Sequence, residues 1–141
     1  MLETEDILQM ILHEFGSHVA SVILFGSRVK GGARVDSDYD MLLVVDSLDM
    51  DPNGRGEMVA SAVADILLNS GTRISPIVLT KEEAEAEAKS GSPLFSSILS
   101  DYKILYDPNK YGVQLLDLIK QSRSEMRYIE RGRAWNLART V

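Results

Sequence analysis

VASVILFGSRVKGGARVDSDYDMLLVV, residues 19–45, decides how this chain folds. The first part, VASVILFG, is rich in β-branched and apolar residues and reads as a strand that delivers Gly26 and Ser27 at its end. The last part, YDMLLVV, is nearly unbroken in apolar character, which implies burial on both faces and an inner position in a sheet. Between the two runs stand Gly26-Ser27, ten residues, and then Asp38-Tyr39-Asp40. Successive strand side chains point to opposite faces, so Asp38 and Asp40 project on one side with about 6 to 7 Å between their Cα atoms. Two carboxylates that close repel, and one tends to stay protonated unless a cation lies between them. Magnesium suits such a pair, because it takes one or two carboxylates and completes its shell with water and phosphate oxygens. Glycine lets backbone approach an anion closely, a strand-to-helix turn aims N–H groups at it, and the Ser27 hydroxyl adds a donor. Arg28, Lys30 and Arg34 bring positive charge into the same loop, although exposed loop cations are usually just solvated. Ten residues suffice for a short helix or loop that returns to the same edge of the sheet, so the spacing predicts an anion cradle beside a carboxylate pair.

Outward from this stretch, helices and strands alternate. Thr4, Glu5 and Asp6 ahead of Leu8, Ile11, Leu12 and Phe15 give an N-cap, an acidic first turn and a helical apolar stripe ending at Gly16. His13 falls on the polar side of that helix. After the second strand, DSLDMDPNGRG reads as a loop and EMVASAVADILLNSG as a helix closed by Gly71. TRISPIVL reads as a third strand, placed at an edge or given a bulge because Pro76 cannot donate to a ladder. Thr80 and Glu83 have capping-box spacing at the start of TKEEAEAEAKSG, and Glu85 and Lys89 stand one turn apart as a favourable pair. A short helix, LFSSILSD, follows Pro93, and KILYD reads as a brief strand. The last helix runs from about Asn109 with Leu115, Leu116, Ile119, Met126 and Ile129 on one stripe, and weakens at Gly132. The pattern predicts an α/β (α+β) domain: a small mixed β-sheet flanked by helices.

With 141 residues, 45% hydrophobic and 26% charged, the chain has material for one core, so residues 1–141 are expected to form a single domain with a C-terminal helix and basic tail from about 109. A formal net charge of -6 argues against nucleic acid as the main partner, since backbone binding requires surplus Lys and Arg. Lys120 to Val141 holds six basic and two acidic residues, a distribution that a solvated helix end explains. Tyr128 and Trp135 lie among those arginines and suit helix packing better than base stacking. Cysteine is absent, which excludes disulfides and thiolate metal sites and fits a reducing cytoplasm. The acidic start and the lack of any apolar run near 20 residues predict neither a signal peptide nor a membrane span. A cytoplasmic location is the expectation.

Gly26-Ser27, ten residues and Asp38-Tyr39-Asp40, flanked by VILF and MLLVV, closely resemble the nucleotidyltransferase signature of the DNA polymerase beta superfamily. The short chain looks like the minimal, MNT-type members, and the order of the following helix, edge strand and SPLFSSILSDYKILYD segment is similar to theirs. The resemblance implies a polymerase-beta-like fold and transfer of a nucleoside monophosphate, AMP from ATP by preference, to an acceptor hydroxyl. It implies that Asp38 and Asp40 are catalytic and bind one or two Mg2+ ions, and that Gly26, Ser27 and Arg28 hold the phosphates of ATP or another NTP. It also implies a partner: small members often pair with a separately encoded helical HEPN protein and act as its antitoxin by adenylylating or masking it. A homo-oligomer is left open.

One departure stands out. Active members of the superfamily commonly carry a third carboxylate on the following strand, where this chain reads RISPIVL with Ser75 at the equivalent position. Asp36 would extend the alternating series, though turn chemistry accounts for it, and helix N-terminal placement accounts for Glu82 and Glu83. The departure puts turnover in question more than nucleotide binding. The alternative reading is therefore a catalytically weak nucleotide-sensing or protein-binding module that retains the fold. A small-molecule adenylyltransferase is a third, weakened by how little chain remains for a second substrate domain.

Overall fold

The computed structural model describes residues 4–31, 37–48 and 51–140. Arg34 and Asp36 lie outside the described residues, as do the side chains of Tyr128 and Trp135. In chain order the elements are α1 (Thr4–Phe15), a 3-10 turn (Gly16–His18), β1 (Val19–Phe25), α2 (Ser27–Lys30), β2 (Tyr39–Val45) and α3 (Pro52–Ser70). They continue with β3 (Ile74–Thr80), α4 (Lys81–Ser90), α5 (Pro93–Ser100), β4 (Tyr102–Tyr106) and α6 (Tyr111–Thr140). The strands form one four-stranded sheet in the order β3-β2-β1-β4. β1 runs antiparallel to both β2 and β4, while β2 and β3 are parallel. This is the small mixed sheet flanked by helices that the alternating pattern predicts.

Period-two alternation sorts the strands onto two apolar layers. Val22 and Leu24 of β1, with Met41, Leu43 and Val45 of β2, pack on Ile7, Leu8 and Ile11 of α1 and Ala62 and Ile66 of α3. On the other face Ile23, Phe25, Leu42 and Val44 meet Ala84 and Ala88 of α4, Phe95 and Ile98 of α5, and Leu115, Leu116 and Ile119 of α6. Both inner strands are thus covered on both sides, which is why their sequences show almost no polar alternation. β3 occupies an edge, where Pro76 is tolerated opposite Met41.

Two boundaries differ from the sequence reading. α3 begins at Pro52, not at Glu57, because Asp51 caps it: its Oδ1 accepts from Gly54 N at 2.7 Å and Pro52 takes the first turn. The glycines of PNGRG are read as loop formers, yet a cap, a proline at the start and the packed helix that follows override their low propensity. α6 does not weaken at Gly132 but continues to Thr140. Elsewhere the local signals hold. Thr80 and Glu83 form the reciprocal capping box of α4, with bonds of 3.1 and 2.9 Å. Glu85 accepts a 3.1 Å bond from the Tyr111 hydroxyl of α6, an inter-helix contact that its spacing from Lys89 does not suggest. His13 is exposed, as its place on the polar side of α1 requires.

Candidate active site

β1 ends at Phe25 and the chain turns at Gly26, whose φ of 79° and ψ of -155° lie in a region open to glycine and costly for other residues. The Gly26 carbonyl accepts from Val29 N at 3.1 Å and Lys30 N at 3.0 Å, and Ser27 O accepts from Gly31 N at 3.1 Å. These bonds wind α2, a single turn that starts on Ser27 and leaves the Ser27 N–H without an acceptor inside its own helix. The Ser27 side chain is exposed.

β2 starts across the sheet from this turn. Phe25 is in register with Asp40, so the halves of the sequence motif are cross-strand neighbours. The approach at Gly26 is so close that a Cβ there would overlap Asp40 Oδ2 and lie 3.3 Å from Asp40 Cγ. Glycine is therefore required twice, by its backbone conformation and by the carboxylate against it. Asp40 shares its face with Leu42 and Val44, and alternation puts Asp38 on that face and Tyr39 on the opposite one. Asp38 is exposed and Asp40 half-buried. The Asp40 carboxyl is pushed above its ordinary pKa, first by burial and then by the negative charge of Asp38.

Two hard oxygen donors on one face, the more buried of them held back from ionising, fit a divalent ion such as magnesium. Among the described residues no group of three or more His, Cys, Asp or Glu side chains is gathered to hold a metal. Across the parallel pairing with β3, the neighbour of Asp40 is the uncharged Ser75. Tyr102 of β4 pairs with Phe25, so Tyr102, Phe25, Asp40 and Ser75 form one row across all four strands. Lys120 of α6 brings its Nζ to 6.0 Å from the Tyr102 ring centroid. Sequence reading does not single out Tyr102 and Lys120, because their nearness depends on which strand β4 joins.

Arg28 is held by its neighbours in β2 and just ahead of it. Its Nε and Nη2 donate to Ser37 O at 3.2 and 2.7 Å, and its guanidinium carbon lies 4.2 Å from the Tyr39 ring centroid. Lys30 is exposed at the end of α2.

Several solved structures that share this fold are of toxin–antitoxin complexes. One chain from a crystal structure of a toxin–antitoxin with AMP-PNP superposes with a TM-score of 0.64 over 96% of this chain and 99% of that one, at 12% sequence identity. Another, from a tri-AMPylated Shewanella oneidensis HEPN toxin in complex with MNT antitoxin, gives a TM-score of 0.58 over 95% of each chain, again at 12% identity. The sequence model described as "Polymerase beta, Nucleotidyltransferase" matches residues 6–111, and the chain belongs to that family. A relative from Methanocaldococcus jannaschii, "Putative protein adenylyltransferase MJ1305", is 32% identical over 136 residues, which are 95% of this chain and 91% of the relative.

Proposed function

We propose that this protein transfers AMP from ATP to a hydroxyl on a protein partner. The observation that carries the reading is the contact between the Gly26–Ser27 turn and Asp40 at one end of the inner strands, in a chain of the polymerase beta nucleotidyltransferase family. The Ser27 N–H and hydroxyl, at an exposed helix start, are suited to the outer phosphates of a nucleoside triphosphate. Asp38 and Asp40 would hold Mg2+, which would supply a positive charge to offset that of the phosphates as it develops during transfer.

In the reaction the acceptor oxygen bonds to the α-phosphorus, the α–β phosphoanhydride breaks, and pyrophosphate leaves; the hydroxyl proton passes to water. The chain's own residues contribute mainly positioning, as phosphoryl-type transfer demands. Gly26 keeps the turn against Asp40, Ser27 orients the phosphates, and the half-buried Asp40 anchors the carboxylate pair in a partly desolvated place.

A protein as acceptor is supported by the name of the Methanocaldococcus relative, and a helical HEPN-type partner by the complexes that supply the structural neighbours. Under this reading the protein acts as an antitoxin. The test is incubation with Mg2+, ATP labelled at the α-phosphate and either cell lysate or a copurified partner. A labelled protein band is expected, lost in Asp38→Asn and Asp40→Asn variants, which each remove a charged metal ligand. Label on a small metabolite instead would reassign the acceptor. Magnesium-dependent ATP binding with no transfer to any acceptor would favour a nucleotide-sensing module, the reading that Ser75 opposite Asp40 supports.

A further inference from the structure

Arg28 follows Ser27 directly, and its charge invites assignment to the phosphates. Its geometry leads elsewhere. Tyr39 lies between Asp38 and Asp40 in β2 and packs with the layer formed by α1 and α3, whereas Asp40 faces the opposite layer with Leu42 and Val44. The guanidinium sits over the Tyr39 ring at 4.2 Å, so it is on the side of the strand away from the two carboxylates. Two of its nitrogens converge on Ser37 O, the carbonyl immediately before Asp38.

We propose that Arg28 is a positioning residue that clamps the Ser37–Asp40 segment from behind and thereby sets the two carboxylates against the Gly26–Ser27 turn. The residue beside Ser27 is bonded directly to the residue beside Asp38, which ties together the two ends of the intervening ten residues. That tie confines the orientation of both halves of the site. A planar fork that donates twice to one carbonyl while stacking on a ring is a task for arginine; lysine keeps the charge but has neither the plane nor the second donor. This inference rests on the proposed metal–nucleotide site and specifies what holds it together.

The two roles for Arg28 predict opposite signs when Mn2+ alone, without nucleotide, is titrated and followed by electron paramagnetic resonance. If Arg28 were a phosphate ligand, removing its positive charge near a carboxylate pair would leave Mn2+ affinity unchanged or raise it. The clamp predicts the reverse: Arg28→Ala, Arg28→Lys and Tyr39→Leu each weaken Mn2+ binding by about tenfold or more, as loss of an orienting partner does. Tyr39→Phe, which keeps the ring, should bind as wild type does. The double variant Arg28→Ala/Tyr39→Leu should lose little more than either single change, since both break one clamp. Circular dichroism and thermal melts of each variant separate local loosening from unfolding, and Arg28→Lys with native-like melting supplies the decisive comparison. Unchanged or tighter Mn2+ binding in folded Arg28→Lys and Tyr39→Leu overturns the clamp. Absence of Mn2+ binding in the wild type overturns the site itself, a different result.

Discussion

Gly26 and Asp40 show how little freedom single residues have at this site. An alanine at 26 would be strained by the positive φ and would force the Asp40 carboxylate out of its place. Gly26→Ala is expected to cost about 1–3 kcal/mol of stability in urea unfolding and to abolish Mg2+-dependent ATP binding in calorimetry. Asp40 carries a pH dependence. Because its folded-state pKa is raised above 3.8, the native protein holds this proton more tightly than the unfolded chain does. The resulting stabilisation is full below the ordinary carboxylate pKa and is lost as pH rises through the raised value. Without metal, Asp40→Asn should therefore melt higher than wild type at neutral pH, and the gap should close as the solution is acidified. Adding Mg2+ at neutral pH should raise the melting temperature of the wild type and leave that of Asp40→Asn where it was.

Among the elements, β3 sets how much charge the site can hold. Its parallel pairing with β2 puts Ser75 beside Asp40, at the edge of the sheet and exposed. Ser75→Asp would add a third carboxylate there. Metal affinity rises with the number of charged ligands, so Mn2+ binding measured by calorimetry should tighten about tenfold, while the metal-free variant melts lower than wild type from the added repulsion. In the sequence, Ser75 is singled out only by resemblance to the family's third carboxylate position. Whether that position reaches Asp40 is a matter of strand register. The start of α3 was less legible: Asp51 and Pro52 are good start signals, but Gly54 and Gly56 mask them in any reading based on composition.

At the scale of the whole molecule, two apolar layers clamp the sheet and α6 closes the second of them. Its beginning is fixed where three elements meet. Asp107, just after β4, accepts from Gly112 N at 2.8 Å and from Val113 N at 3.2 Å, while buried Ser21 of β1 donates to Tyr106 O at 3.1 Å. A Cβ on Gly112 would overlap Ser21 Oγ and come within 3.2 Å of the Asp107 carboxyl. Gly112→Ala should accordingly destabilise the fold by about 1–3 kcal/mol in urea unfolding, the usual cost of overpacking. Ser21→Ala in the same chain should recover part of the loss by removing the clashing oxygen. Among the described residues no helix is long and apolar enough to cross a membrane.

What the sequence by itself determined is the local part: two strands with near-continuous apolar character, a glycine turn, and paired carboxylates on one face. Covalent geometry and side-chain alternation dictate these within a few residues. Tertiary structure alone decided which segments became neighbours. The hydrogen-bond register of β2 with β3 put a serine beside Asp40, and Tyr39 joined the apolar layer that α1 and α3 share, with Arg28 stacked on its ring. Such choices depend on contacts between segments far apart in the chain, and on which of two faces a layer of helices covers. No local pattern encodes them.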